Sequence, residues 1–586
     1  MSKSGLVSDK IITLEHPYPI KGIILIEGEK IYDVVECDAE LSLQEIAESY
    51  SDWSPIVYPD SYICPGLIDM AVRPEWDSLS SITRMAASGG VSLVCIEPNL
   101  HGNSSEGHHI YAEILKIDLV ENISQTPPSD VIAYKGYLYP PSNNVKSCIH
   151  VLEANLELLT KLNLPLFIDS MLPHERILTQ ISPCRKMSLT ERINFDPKKA
   201  DRNFSCAFPD EVVYDSSSEG EEDTDNPDIV DMNINYLKPN NKYSRRNSEQ
   251  WGIERRGSCN SAYDELEKKI KQNQNDLVNL SMLEEMSYKM SGETLIETRI
   301  RSSSLNDEIF EKKEESPTNS FSERINTRRP TPLNLQPISP ARQDTKYLNF
   351  IAKIPESWEN NGVKLISSTL SSSSLQVHFT KLSSAASVNI LRKQENKNFT
   401  CDVSAHHLYM NDSQIPESES TFKDFPPIRS ALNQEILWQL LKLGDVHAVS
   451  SHHASIPAGL KRMGGGSFIQ SLSGVNSLGF TLQMIWSKVK DLDDGESIDG
   501  KIVKIFTWMA LKPAQILKVG ESRGSLAPGK LANLVIWKPF EENRGASWTE
   551  AGWCMFEKEN LFGKVEKTFV KGRVVWDGKF HPVESN

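Results

Sequence analysis

Closely spaced cysteines are the first feature that this sequence lacks. The chain has nine cysteines among 586 residues, scattered along its length without a CxxC pair. This pattern argues against a disulfide framework and a structural zinc knuckle, since both usually use closely spaced cysteines. It predicts a protein of a reducing compartment.

Membrane and nucleic-acid signals are also missing. No run approaches the ~18 apolar residues that a bilayer-spanning helix needs, and residues 1–14 carry no apolar signal-peptide core. The formal net charge is −16, and residues 216–223 form one short acidic run. Bulk charge of this sign does not favour nucleic acids or anionic membranes. We expect a soluble, cytoplasmic protein with neither as a partner.

What the sequence does have is an alternation of strand-like and helix-like runs. Residues 91–96, 131–134 and 165–168 are typical of buried strands, whereas residues 110–119 and 149–162 have helical spacing. The alternation predicts the α/β class with a closed (β/α)8 TIM-type barrel. Both chain ends show hairpin and strand patterns, which predicts a small β-sandwich shared by the two termini. The predicted domains are 1–60 and 523–586 for the β-sandwich, and 61–180 and 347–522 for the barrel.

Residues 181–346, between the two barrel parts, differ in composition. The segment is rich in Ser, Asn, Glu, Arg and Lys and poor in apolar runs, which predicts a largely disordered insertion. Apolar spacing at 264–290 favours one amphipathic helix within it. Two Arg-Arg-x-Ser sequences make Ser248 and Ser258 candidate phosphorylation sites for a kinase, where added phosphate would neutralise the nearby arginines.

Several motifs in the barrel parts carry a family resemblance. Residues 65–73 read PGLIDMAVR, and residues 86–99 read AASGGVSLVCIEPN. Later segments read FKDFPPIR at 422–429, NQEILW at 433–438, SSHHA at 450–454 and GSLAPGK at 524–530. The first five resemble PGxIDxHxH, AAxGGxTxxxxMPN, FKCAPPIR, NxExLW and SSDHS of allantoinases. These belong to the cyclic amidohydrolases, together with dihydroorotase and dihydropyrimidinase.

The resemblance implies a fold, an activity and a set of site residues. Allantoinases open the ring of allantoin to give allantoate in purine catabolism, using two divalent metals such as zinc and a carboxylated lysine. Only the lysine, Lys135, keeps the residue type of the family's metal ligands. Asn476 and Ser477 are the candidate substrate-binding residues. Matched motif by motif, the family's ligand positions are Ala71, Arg73, Lys135, Asp169, Lys381 and His452.

These substitutions matter because opening a cyclic amide needs a strong nucleophile. Bound metals supply one by lowering the pKa of water from about 15.7 to about 7. His452 stands at the position of the family's general-base aspartate and could accept a proton. We predict that Arg73, Lys135 and Lys381 replace the metal charge, with Asp169 as their counter-ion, because buried charges need partners.

Another arrangement of the site stays open. A single-metal site could be rebuilt from Asp169, His378, His452 and His453. His406 and His407 match a structural position of the family and are not expected to be ligands.

The leading functional prediction is a catalytically inactive, metal-free allantoinase-like pseudoenzyme. It would act as a regulator or scaffold, as a homo-oligomer or together with an active paralogue. The second prediction is an active allantoinase with unusual ligands, two zinc ions and carboxylated Lys135. The third is a sensor that binds a ureide through Asn476 and backbone groups without turning it over.

Overall fold

The computed structural model describes residues 2–74, 76–98, 110–139, 148–173, 345–461, 467–543, 553–556 and 559–582. All of them belong to one compact unit. The insertion predicted at 181–346 lies outside these ranges except for its last two residues, and so do its candidate helix 264–290, Ser248 and Ser258. In the described ranges, no helix is long and apolar enough to cross a membrane.

The secondary structure in these ranges alternates between strands and helices. The strands are β1 Lys3–Ile11, β2 Ile20–Glu27, β3 Lys30–Glu36, β4 Pro55–Val57, β5 Tyr62–Pro65, β6 Leu67–Arg73, β7 Val91–Ile96, β8 Glu113–Leu119, β9 Val131–Tyr137, β10 Leu166–Asp169, β11 Val377–Phe379, β12 Phe399–Ser404, β13 Ala448–Ser450, β14 His453–Ala454, β15 Leu534–Asn543, β16 Leu561–Val570 and β17 Arg573–Trp576. The helices are α1 Leu43–Ser49, α2 Leu79–Ser88, α3 Cys148–Leu162, α4 Tyr347–Ala352, α5 Glu356–Thr369, α6 Ala385–Arg392, α7 Ala405–Tyr409, α8 Ala431–Leu443, α9 Thr481–Val489, α10 Ile498–Phe506 and α11 Lys512–Ile516.

Strands β6 to β14 form a closed parallel barrel. Strands β6 to β12 lie side by side in chain order, each parallel to the next. The last position is shared by β13 and β14, two pieces of one segment that are separated only by Ser451 and His452. Because β13 pairs with β12 and β14 pairs with β6, the sheet closes on itself. The predicted α/β class with a TIM-type barrel is confirmed.

One secondary-structure prediction is wrong. Residues 110–119 have helix-like spacing, yet β8 occupies most of that segment and pairs with β7 on one side and β9 on the other. An apolar run this short is ambiguous by periodicity alone. Pairing with both neighbouring barrel strands decides its structure.

The two ends of the chain form the second sheet, in the order β17-β16-β15-β5-β1-β2-β3 with β4 beside β1. Side chains alternate across β1, so Leu6 packs with Ile24 in one apolar cluster and Val7 packs with Ile23 in another. Strand β5 pairs with β15 and is separated from β6 only by Gly66. Both termini therefore build one small β domain beside the barrel, as predicted.

Helix α5 approaches the chain closely just after β10. A β-carbon at Gly362, within α5, would stand 1.7 Å from the carbonyl oxygen of Ser170. Ser170 directly follows Asp169, so the missing side chain at Gly362 helps to set the position of a predicted site residue.

We expect Gly362→Ala to lower the free energy of unfolding by about 1–3 kcal/mol, because the added methyl group must displace backbone atoms. This cost outweighs the roughly 1 kcal/mol that alanine gains over glycine in a helix. Gly500→Ala in α10 is the control, since its β-carbon would meet only side-chain atoms of Glu496 and Ser497, at 3.2 Å or more. Urea denaturation compares the two. Equal effects would contradict a steric role for Gly362.

Candidate functional site

The candidate site lies at the carboxyl ends of the barrel strands, where TIM-type barrels carry their functional groups. A cavity of about 30 Å³ is found there. It has room for roughly one or two water molecules. All six positions singled out by the resemblance line this cavity. The lining residues are Ala71, Arg73, Glu97, Lys135, Tyr137, Tyr139, Asp169, Thr380, Lys381, Phe425 and His452.

Lys135 of β9 forms a buried ion pair with Glu97. Its Nζ atom lies 2.5 Å from Glu97 Oε1, and both residues are buried. Glu97 follows β7 directly, and its backbone N–H donates to the carbonyl of Val72, which holds it beside β6. Burial alone would raise the pKa of Glu97, but Lys135 and Arg73 outweigh burial and lower it. The cavity wall therefore contains a fixed ammonium–carboxylate pair.

Lys381, just after β11, forms a second pair with Asp424. Its Nζ atom lies 2.8 Å from Asp424 Oδ1, and its backbone N–H donates to Asp402 Oδ1 at 2.7 Å. Burial lowers the pKa of Lys381, and the charge of Asp424 opposes this effect. Burial would raise the pKa of Asp424, but Lys381 and His406 hold it well below its usual value. A second lysine is thus held beside a buried carboxylate.

His452 occupies the break between β13 and β14. Its Nε2 atom lies 3.0 Å from each carboxylate oxygen of Asp402, a buried residue of β12. The Nε2 atom of His378 lies 3.8 Å from the same carboxylate. Burial would raise the pKa of Asp402, but the two histidines outweigh burial and lower it well below its usual value. Asp402 thereby orients the imidazole of His452, which could accept a proton at Nδ1.

Ala71 and Asp169 complete the cavity in different ways. Ala71 brings no polar side-chain atom. The Oδ1 atom of Asp169 accepts a hydrogen bond from the backbone N–H of Met171 at 3.2 Å. Sequence reasoning named Asp169 as the counter-ion of the lysines, but the carboxylates in direct contact with them are Glu97 and Asp424. Asp169 acts on Lys381 only as a nearby negative charge.

Comparison with known proteins agrees with the motifs. A sequence model of the amidohydrolase family matches residues 362–575. Allantoinase from Arabidopsis thaliana is 29% identical over 249 residues, covering 40% of this chain and 48% of the relative. Allantoinase from Saccharomyces cerevisiae is 26% identical over 245 residues, covering 40% and 51%. These alignments span about half the length of the relatives. The chain is thus allantoinase-like and similar in sequence to the amidohydrolase family.

Solved structures share the fold of this allantoinase-like chain. D-hydantoinase (dihydropyrimidinase) from Thermus sp. has a TM-score of 0.60 at 13% identity, covering 99% of this chain and 96% of that one. L-hydantoinase (dihydropyrimidinase) from Arthrobacter aurescens has a TM-score of 0.60 at 12% identity, covering 99% and 98%. At such low identity, the likeness shows the fold alone.

The allantoinase-like cavity does not fit a pair of divalent metals. Metal ligands must offer lone pairs, yet Ala71 has no donor atom in its side chain, and Arg73 has only N–H groups. Lys381 presents an ammonium group that is already bound to Asp424. Lys135 is engaged in the same way by Glu97. No metal-dependent step can be derived from this arrangement.

The candidate substrate-binding residues make hydrogen bonds inside the protein. Asn476 Nδ2 donates to the carbonyl of Trp553 at 2.7 Å, and Ser477 Oγ donates to the carbonyl of Ser451 at 2.8 Å. Both residues are buried, and neither is part of the cavity lining. Their hydrogen bonds connect neighbouring backbone segments.

Of the four residues of the alternative single-metal site, His378 and His452 both approach Asp402, whereas Asp169 and His453 have other partners. His378 Nδ1 lies 2.9 Å from Thr400 Oγ1, and His453 Nε2 lies 3.4 Å from Asp77. His452 faces Asp402, as described above. In the part of the chain that the structure describes, the potential metal ligands that do come together are His406, His407 and Asp424.

Sequence reasoning missed three carboxylates, Glu97, Asp402 and Asp424. A signal existed for Glu97, because it directly follows a strand-like run and should therefore lie at the barrel's carboxyl end. Asp402 lies inside a strand, and Asp424 stands where the resembled motif has cysteine. Nothing in the sequence pattern links Asp424 to Lys381, 43 residues away.

We expect Lys135→Met to lower the free energy of unfolding by about 3–5 kcal/mol, because it leaves the Glu97 carboxylate buried without its partner. The double variant Lys135→Met/Glu97→Leu should recover most of this loss, since it removes both charges. The matched control is the exposed pair Lys116–Asp130, at 2.7 Å, where Lys116→Met should cost less than about 1 kcal/mol. Chemical denaturation measures all three. A double variant no more stable than Lys135→Met would contradict the pairing.

Proposed function

We propose that this allantoinase-like protein has lost metal-dependent hydrolysis and serves as a regulatory or scaffolding relative of cyclic amidohydrolases. The observation that carries the proposal is the pairing of Lys135 with Glu97 and of Lys381 with Asp424 at the cavity. Ammonium groups stand at positions where the resemblance implies metal chemistry.

The charge arrangement supports this proposal physically. At the cavity, the Glu97 carboxylate is already paired with Lys135, and Arg73 adds positive charge beside it. Without a bound metal, water keeps its pKa of about 15.7, and little hydroxide is available to attack an amide. The imidazole of His452, oriented by Asp402, could accept a proton, but a proton acceptor alone does not replace the metal as electrophile.

The size of the cavity also supports this proposal. Pockets for small organic ligands usually enclose about 300–1,000 Å³, whereas the cavity here measures about 30 Å³. Among the described residues, this space is too small to enclose a cyclic ureide unless the lining moves. The need to move the lining argues against a ureide sensor. It also argues against an allantoinase that would act on such a ring in this cavity.

Allantoin hydrolysis tests the proposal directly. The purified full chain, incubated with allantoin and zinc, cobalt or manganese, should form no more allantoate than a protein-free blank. The allantoinase of Saccharomyces cerevisiae, assayed in parallel, shows that the conditions support turnover. Allantoate formation that depends on added metal would contradict the proposal.

A regulatory role further implies assembly, which we propose as a homo-oligomer or as a complex with an active relative. We also propose a cytoplasmic location, supported by the free thiols of Cys37, Cys64, Cys95, Cys401 and Cys554. Phosphorylation at Ser248 and Ser258 would then regulate this assembly.

Light scattering on the full chain tests assembly before and after treatment with a basophilic kinase. The expected result is a mass above that of one chain that changes on phosphorylation. The double variant Ser248→Ala/Ser258→Ala is the control and should not respond to the kinase. A monomer under both conditions, or an equal response of the control, would contradict this part of the proposal.

A further inference from the structure

A second group of titratable side chains lies behind the cavity wall. His406 and His407 belong to α7, directly after β12, and Asp424 lies in the segment that leads into Phe425 of the cavity lining. All three are buried. One potential ligand atom from each lies within 4.8 Å of the other two. This spacing would allow one ion to be bound by all three.

The two oxygens of Asp424 have separate roles. Oδ1 accepts hydrogen bonds from Lys381 Nζ and from the backbone N–H of Phe425, both at 2.8 Å. Oδ2 faces the imidazoles, 2.6 Å from His406 Nε2 and 3.9 Å from His407 Nε2. Hydrogen bonds to one oxygen thus orient the carboxylate while the other points at two imidazoles. Carboxylates that bind metals are commonly held by outer hydrogen bonds in this way.

The imidazoles retain unused nitrogen atoms. Neither nitrogen of His407 has a hydrogen-bond partner among the described residues, and neither does Nδ1 of His406. Buried polar atoms are costly when unpaired, so a group of this kind calls for an occupant. Burial lowers the pKa of both histidines, which keeps them neutral as metal ligands must be.

We propose that His406, His407 and Asp424 form a site for a single divalent transition-metal ion. Two imidazoles and one carboxylate suit zinc or cobalt better than magnesium or calcium, which prefer oxygen ligands. The bound ion would fasten α7 to the segment around Asp424. Lys381 contacts the same carboxylate, so its charge opposes the ion and moderates the affinity.

This site differs from the positions that the resemblance named. Ala71, Arg73, Lys135 and Asp169 take no part in it, and Lys381 contributes only to the orientation of Asp424. It also goes against the sequence-based expectation for His406 and His407. The proposed loss of hydrolysis does not depend on it.

A cobalt titration of the full chain, stripped of metal with a chelator, tests the site. Visible d–d absorption should rise to saturation at one cobalt ion per chain. His407→Asn should lower the affinity at least about tenfold, because it removes a ligand that makes no hydrogen bond in the described structure. Asp424→Asn should have a similar effect.

His452→Asn is the matched control, since it removes a buried imidazole that faces the cavity and Asp402 instead of this group. It should bind cobalt as the unchanged protein does. Thermal melting followed by circular dichroism checks that the variants are folded. If Asp424→Asn does not fold, His407→Asn alone carries the test.

Absence of saturable cobalt binding in the unchanged protein would overturn the proposal. So would binding that survives in His407→Asn, or binding that is lost in His452→Asn. None of these results concerns turnover, so allantoin hydrolysis remains a separate test of the proposed function.

Discussion

The need to pair every charge at the barrel's carboxyl end is the constraint on which the site depends. Lys135 and Lys381 are buried, and a buried ion without a partner is expensive. Glu97 and Asp424 meet that need through direct contact. Asp402 contacts His452 and the backbone of Lys381, so it joins two neighbouring parts of the wall. What remains between them is a cavity of about 30 Å³.

The barrel makes these contacts possible because it brings distant chain segments to one end. Glu97 follows β7, Lys135 lies on β9, and His452 interrupts the segment that closes the ring. That interruption strains the backbone, since His452 has a φ of +47°, in the left-handed region that residues other than glycine rarely adopt. Both carboxylate oxygens of Asp402 lie 3.0 Å from its Nε2 atom and accept its N–H, which holds the residue there.

The barrel and the location of the site could be read from the sequence, but the contacts within the site could not. Alternating apolar runs indicated parallel strands, and the family motifs placed all six predicted ligand positions around one cavity. Periodicity failed for β8, where a short apolar run suits either a helix or a strand. The partners of the lysines come from separate strands and loops, and pattern alone does not say which carboxylate reaches which lysine. Asp169 was named because it stands at one of the family's ligand positions, yet its side chain bonds to the backbone at Met171.

Two kinds of polar group therefore share this end of the barrel. Those lining the cavity are paired as fixed charges, whereas His406 and His407 behind it keep nitrogens without described partners. Anomalous X-ray diffraction at the zinc edge, from crystals grown with zinc, distinguishes these environments most directly. We predict no zinc peak in the cavity and an unmodified Lys135 side chain in ion-pair contact with Glu97. Two zinc peaks in the cavity, bridged by a carboxylated Lys135, would contradict this prediction.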